Sequence, residues 1–346
     1  MEKSVIIPSV FEENTMEFSK IAENFVDGIR IVNFNDKEYV VGNLALREGV
    51  APHKLINSSA EDIDYQLLAL TGLVTSTMGT FTKLVVTAGF PYTTFQSYRK
   101  NAERFYLGRH EVCFDARTFG RNEVEKMDFT VDQVDIITEI DGCIKAIRNS
   151  GENDNFFIAS IGFGTFETAL STPSGIVHRT TYSTKGISYA VDLTESELQK
   201  EHYLNLLTDQ QMERAFQRGS IVANRQRLDL TDLRTKSLRT YYSEVISPAL
   251  RKKFTDEDFV NTEKIYLVGG GALYSELVEM FKIEFGSILD VKVFPNPHLC
   301  AAKGFCLNSM QKAKSIADVE KRERIAYVGI DLGNSNTAIV VNTLEQ

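Results

Sequence analysis

Three glycine-rich turns, each delivered by an apolar run, constrain this 346-residue chain more than any other feature. The last runs from Ile330 to Val341, I-D-L-G-N-S-N-T-A-I-V-V, and reads as strand, tight polar turn, strand. Gly333 lets the backbone turn and approach a ligand, while Asn334, Ser335 and Asn336 tolerate turn conformations and offer hydrogen bonds. Successive backbone N–H groups in such a turn form an anion-binding concavity. Asp331 at its edge suits a hydrated Mg²⁺, which binds phosphates through few carboxylates and many waters. Alone, the segment fits a plain hairpin equally well.

The second turn, Phe157 to Leu170, is F-I-A-S-I-G-F-G-T-F-E-T-A-L: strand, G-x-G-T, strand, with Glu167 three residues beyond Gly164. The third, Ile265 to Tyr274, delivers Gly269, Gly270 and Gly271 followed by Ala272 into a helix expected over 274–285. Three glycines let a backbone lie flat against a planar or phosphorylated ligand. A dinucleotide-binding G-x-G-x-x-G loop is excluded, because Tyr274 stands where its last glycine should be.

Elsewhere, apolar runs at 83–91, 134–138, 156–161, 264–268 and 325–330 alternate with helical stretches, the pattern of an α/β protein. Runs of this kind suit strands covered on both faces by helices. Thr208 to Gln211 forms a capping box opening a helix through Phe216. Leu238, Tyr241, Tyr242, Val245, Ile246 and Leu250 form one inward stripe on a helix. Residues 308–324, charged and free of Pro and Gly, read as an exposed helix end and a linker.

Together the three turns resemble those of the actin, heat-shock chaperone and sugar-kinase superfamily. Its members bind ATP between two domains with two strand-turn-strand phosphate loops and a glycine-rich adenosine loop. D-L-G-N-S-N-T is similar to the first phosphate loop, S-I-G-F-G-T-F-E to the second and V-G-G-G-A to the adenosine loop. Residues 137–147 resemble the first connecting helix, where Glu139 takes the place of a residue that orients the attacking water. Residues 296–305 resemble the second. The stretches 39–45 and 85–91 are similar to those of ParM-like bacterial actins. The resemblance implies an α/β, two-domain, actin-like (ribonuclease H-like) fold, with residues 1–148 plus 298–346 as one domain and 149–297 as the other.

This chain departs from the family pattern twice. The first phosphate hairpin comes last, so the resemblance implies a circularly permuted order, feasible because chain termini often lie close together. Ser160 also stands where the second phosphate loop carries Asp, and a hydroxyl cannot act as a carboxylate base.

The resemblance implies a filament-forming, ParM-like ATP-binding protein of the cytoskeletal or DNA-segregating kind, with ATP or ADP and Mg²⁺ as cofactors and slow hydrolysis. Asp331 would hold Mg²⁺ through water, Glu139 would orient the attacking water, and Ser160 would occupy the third catalytic position. Backbone amides of Gly333–Asn336 and of Gly162, Phe163, Gly164 and Thr165 would cradle the phosphates. Gly269–Ala272 would lie along the adenosine, with Gln217, Arg214 and Arg218 near the base. Partners would be further copies of the chain and a DNA-binding adaptor protein. Two alternatives stay open: a monomeric adaptor like FtsA, and a small-molecule kinase on the same fold.

Composition bounds the rest. A net charge of −9 argues against an electrostatic nucleic-acid binder. The basic clusters 251–253 and 321–322 read as solvated helix ends. Cys113, Cys143, Cys300 and Cys306 show no C-x-x-C pair, and the five His show no ligand spacing. No window approaches the about 18 apolar residues of a membrane span. These features predict a cytoplasmic protein with reduced thiols that binds no membrane.

Overall fold

The computed structural model describes residues 2–54, 59–77, 82–201, 208–223, 225–314 and 325–343. It divides into two compact units, Met1–Gly151 with Leu299–Gln346 and Glu152–His298.

The first unit opens with β1 (Glu2–Pro8) and β2 (Val10–Glu13), then β3 (Ile29–Phe34), β4 (Lys37–Val41), α1 (Asn43–Glu48), β5 (His53–Lys54) and α2 (Ile63–Thr77). It continues through β6 (Lys83–Phe90), α3 (Tyr92–Tyr106), β7 (Gly108–Asp115), β8 (Val124–Thr138) and α4 (Glu139–Asn149). The apolar run at 134–138 is the end of the long β8. Gly89 and Pro91 punctuate the exit of β6: Pro91 lacks an N–H for the ladder and caps α3.

The second unit contains β9 (Phe156–Ile161), β10 (Thr165–Thr172), β11 (Gly175–Ile176), β12 (Tyr182–Lys185), α5 (Ser188–Glu201), α6 (Asp209–Arg218) and a separate hairpin, β13 (Ser220–Ala223) with β14 (Gln226–Asp229). After it come α7 (Thr231–Tyr241), α8 (Ser247–Lys253), α9 (Asp256–Val260), β15 (Lys264–Val268), α10 (Ser275–Phe285) and β16 (Asp290–Val293). The chain then re-enters the first unit through α11 (Cys300–Lys314), β17 (Ile325–Leu332) and β18 (Asn336–Thr343).

Both units build their main sheet on one plan. In the first, the order β1-β18-β17-β6-β8 places a hairpin, β17–β18, between antiparallel β1 and parallel β6. In the second, β10 and β9 form the hairpin, flanked by β11 and β12 on one side and parallel β15 and β16 on the other. The first sheet runs on through β7, β3, β4, β2 and β5. Only Ser9 separates β1 from β2, yet β1 pairs with β18 at one end of the path while β2 pairs with β4 and β5 at the other. The sheet therefore curls back on itself. One core forms between this sheet, α2 and α3, and a smaller one where α11 covers β17 and β18. The second unit has a core of its own.

Two helical expectations need correction. The stripe from Leu238 to Leu250 faces inward, but it spans α7, a π-turn at Tyr242–Ile246 and α8. Pro248 lacks the N–H that would bond Glu244, so the helix widens before it. The start of the 308–324 stretch is also not exposed: Asn308 and Ser309 are buried and bond the Thr87 hydroxyl. The expected linker, around 317–324, lies outside the described residues. Thr208 does form the capping box that opens α6. Among the described residues no helix is long and apolar enough to cross a membrane, and no cluster of His, Cys, Asp and Glu could hold a metal ion on its own.

Candidate functional site

In the first unit, the turn between β17 and β18 is closed by the Gly333 N–H donating to the Asn336 carbonyl at 3.1 Å. A Cβ on Gly333 would stand 2.9 Å from that same carbonyl, so the turn excludes any side chain there. The Asn336 amide donates to the Ser335 hydroxyl at 2.9 Å. The Ser9 N–H donates to the Ser335 carbonyl at 3.0 Å, tying the turn to the β1–β2 junction. Asp331 lies near the end of β17 opposite Ala338, and burial pushes its carboxyl up to about 7.

Glu139 begins α4, where β8 ends. Thr138 caps the helix, its hydroxyl accepting from the Asp141 N–H at 3.1 Å. The helix crosses α11 at its glycines, and near the crossing the Cys300 thiol donates to the Cys143 carbonyl at 3.7 Å. The neighbouring Cys300 and burial push the Cys143 thiol upward, and the charges of Asp331 and Glu139 add to that rise. The charges of Glu139 and Asp331 are thus both felt at one buried thiol of the first unit.

In the second unit, the turn between β9 and β10 is closed in the same manner, by the Gly162 N–H donating to the Thr165 carbonyl at 2.8 Å. A Cβ on Gly162 would again stand 2.9 Å from its partner carbonyl. The carbonyls of Gly162, Phe163 and Gly164 accept from Ile187, Ser188 and Gly186. With its carbonyls engaged, the turn offers an approaching anion less negative charge.

Register adds a residue to which the sequence reading gave no role. Ser160 stands directly opposite Glu167 across the hairpin, so both side chains share a face. Glu167 is 1% exposed and Ser160 8%. Each hairpin therefore carries one carboxylate beside its turn, Asp331 on the entering strand of the first and Glu167 on the leaving strand of the second. Counting outward from the two bonded turn residues in the sequence would have found this pairing.

The glycine turn after β15 packs against this second hairpin. Gly269 has φ +83°, and a Cβ there would lie 2.5 Å from the Ile161 carbonyl; one on Gly271 would lie 2.2 Å from the Ile161 Cγ2. Only Gly270 faces open space. Gly269 and Gly271 thus allow close packing on β9, Gly270 is exposed, and Ala272 is buried beside them. Gln217, exposed near the end of α6, donates to Glu213 at 3.3 Å.

Residues 2–139 match the family model described as the N-terminal domain of actin-like proteins. No curated protein matches the chain. Among solved structures, the archaeal actin homolog Ta0583 is similar with a TM-score of 0.70 at 14% identity, over 90% of this chain and 93% of that one. Its complex with ADP gives 0.68 at 15%, with the same coverage. A 15-stranded ParM filament from Clostridium botulinum gives 0.69 at 19%, over 89% and 93%. At such identities the likeness establishes the fold.

Proposed function

From an actin-like fold that carries an actin-like N-terminal domain over residues 2–139, we propose that this protein binds ATP and ADP with Mg²⁺ and assembles into filaments switched by that nucleotide. The observation that carries the reading is the pair of hairpins, each closed by one glycine N–H to a carbonyl three residues on and each bordered by a carboxylate. Such turns direct backbone N–H groups toward an anion. An ADP complex exists for one protein of similar fold, and another is a ParM filament. The circularly permuted order is part of the proposal. It is supported by the shared strand plan of the two sheets, in which the C-terminal hairpin fills the place that β9–β10 fills in the second unit.

The residues fit the cofactor. Neither Gly333–Asn336 nor Gly162–Thr165 contains a Lys or Arg, so a cation must offset the phosphate charge. Asp331, held near neutrality by burial, is a carboxylate that a cation would recharge. Bound Mg²⁺ would supply charge neutralisation at the β- and γ-phosphates. Glu139 orients the attacking water at the N-terminus of α4. Ser160 donates or accepts a hydrogen bond without taking a proton, and Glu167 opposite it supplies the carboxylate that the strand lacks. Hydrolysis is slow, and filaments correspondingly long-lived. Work on DNA cargo would run through a separate DNA-binding protein, since the acidic chain is a poor ligand for nucleic acid itself.

Negative-stain microscopy and sedimentation with Mg²⁺ and a non-hydrolysable ATP analogue test the assembly. Filaments at micromolar protein are expected. A chain that remains monomeric at high concentration while binding nucleotide would move the reading to a monomeric adaptor.

A further inference from the structure

One guanidinium in the second unit joins three elements around the glycine turn. Arg234, on α7, donates through Nη1 to the Phe216 and Gln217 carbonyls, both at 3.3 Å, at the last turn of α6. Through Nη2 it donates to Glu276 at 3.0 Å, in the first turn of α10. Its Cζ lies 5.7 Å from the ring centroid of Tyr274, the residue that follows the glycine turn and caps α10. Tyr274 in turn packs edge-on against Phe216. The site is fitted to the fork: α6 ends at Gly219 with φ +69°, and a Cβ there would stand 3.2 Å from Nη1. Arg234 and Glu276 are only 16% and 18% exposed. A lysine offers a point charge and cannot span two carbonyls and a carboxylate in one plane.

Building on the proposed nucleotide site, we infer that Arg234 is a positioning residue for the nucleoside end of the ligand. It fixes Gln217 and Tyr274 relative to each other, and so sets the wall on which the base and ribose rest beside Gly270. None of its bonds reaches the β9–β10 hairpin of its own unit. Its loss therefore weakens the hold on adenosine and spares the hold on phosphate, a split that general loss of stability would not produce.

Calorimetric titration of the full chain with ATP and with inorganic tripolyphosphate, both with Mg²⁺, reads this split. In Arg234→Lys and Arg234→Met, affinity for ATP should fall roughly tenfold or more, the scale of losing a charge-assisted fork, while affinity for tripolyphosphate stays unchanged. Glu276→Gln, which removes one arm, should give the same pattern more weakly and covers the case in which Arg234→Met does not fold. ATP affinity equal to wild type in the folded variants, or parallel loss of both ligands, would overturn the inference and leave the nucleotide reading intact. A wild type that binds neither ligand would overturn both.

Discussion

Gly304 stands so close to Gly142 that a methyl group on it would lie 1.7 Å from the Gly142 carbonyl oxygen. This contact sets the crossing of α4 and α11, the helices that begin at Glu139 and Cys300. On Gly142 itself, an added Cβ would lie 2.4 Å from the Phe305 ring. The approach is what lets the Cys300 thiol reach the Cys143 carbonyl at 3.7 Å.

The substitution Gly304→Ala sets two effects against each other. Replacing a mid-helix glycine gains about 1 kcal/mol in helix propensity. Forcing a methyl group into a filled space costs about 1–3 kcal/mol or more, and here the obstacle is backbone that cannot rotate away. The clash wins, and the melting temperature should fall by several degrees. A variant at least as stable as wild type would show that the crossing is not close-packed.

The C-terminal hairpin is expected to be indispensable for folding. β18 is the sheet neighbour of β1, and β17 separates it from β6. An isolated hairpin is marginal in water, but as inner strands these two complete the sheet. Removing residues 325–346 should leave the first unit unfolded, seen as insoluble protein or lost circular dichroism. A soluble truncation with a cooperative melt would contradict the pairing of the two chain ends.

Glu152 gives the second unit a pH signature. Burial opposes its ionisation, but the Tyr266 hydroxyl at 2.8 Å, Lys264 at 3.0 Å and the Asp154 N–H at 3.1 Å hold its carboxyl down at about 2. A depressed carboxyl stabilises the fold fully above its ordinary value of 4.5, and that contribution drains as pH falls towards 2. Glu152→Gln should therefore cost up to about 3 kcal/mol at pH 7, with the gap to wild type closing below pH 4.5. Denaturant titrations across that range would show it; a gap independent of pH would refute it.

Turnover separates the carboxylates. Glu139→Ala should abolish residual hydrolysis without preventing nucleotide binding. Glu167→Gln should lower it by roughly 10²-fold or more if this residue supplies the charge missing at Ser160. Ser160→Asp would set two buried carboxylates opposite each other, where repulsion raises one of them. A rise in turnover is therefore expected only in combination with Glu167→Gln. Single-turnover phosphate release measures all four variants; activity untouched by Glu139→Ala and Glu167→Gln would show these assignments to be wrong.

How much could be read beforehand follows the range of the interactions. The hairpins, the strands ending in them and the Thr208 cap are written in adjacent residues, because turn chemistry and capping act over three or four positions. The capping box even survives intact, Thr208 and Gln211 bonding each other's backbone. The switch of partner at Ser9 and the reach of Arg234 to α6 and α10 depend on tertiary packing. No local pattern marks them. The three glycines carry a requirement that composition does not show, since Ile161 fills the space a side chain on Gly269 or Gly271 would need.

The central claim is that the two hairpins bind a nucleotide, and a melting curve with Mg²⁺ and ATP or ADP tests it most directly. A ligand that binds only the folded state at about 100 times its dissociation constant adds about 2.7 kcal/mol. Millimolar nucleotide should therefore raise the melting temperature by several degrees, by less without Mg²⁺ and by less still in Gly333→Val. A melting temperature unmoved by millimolar ATP and ADP with Mg²⁺ would contradict the account at its base.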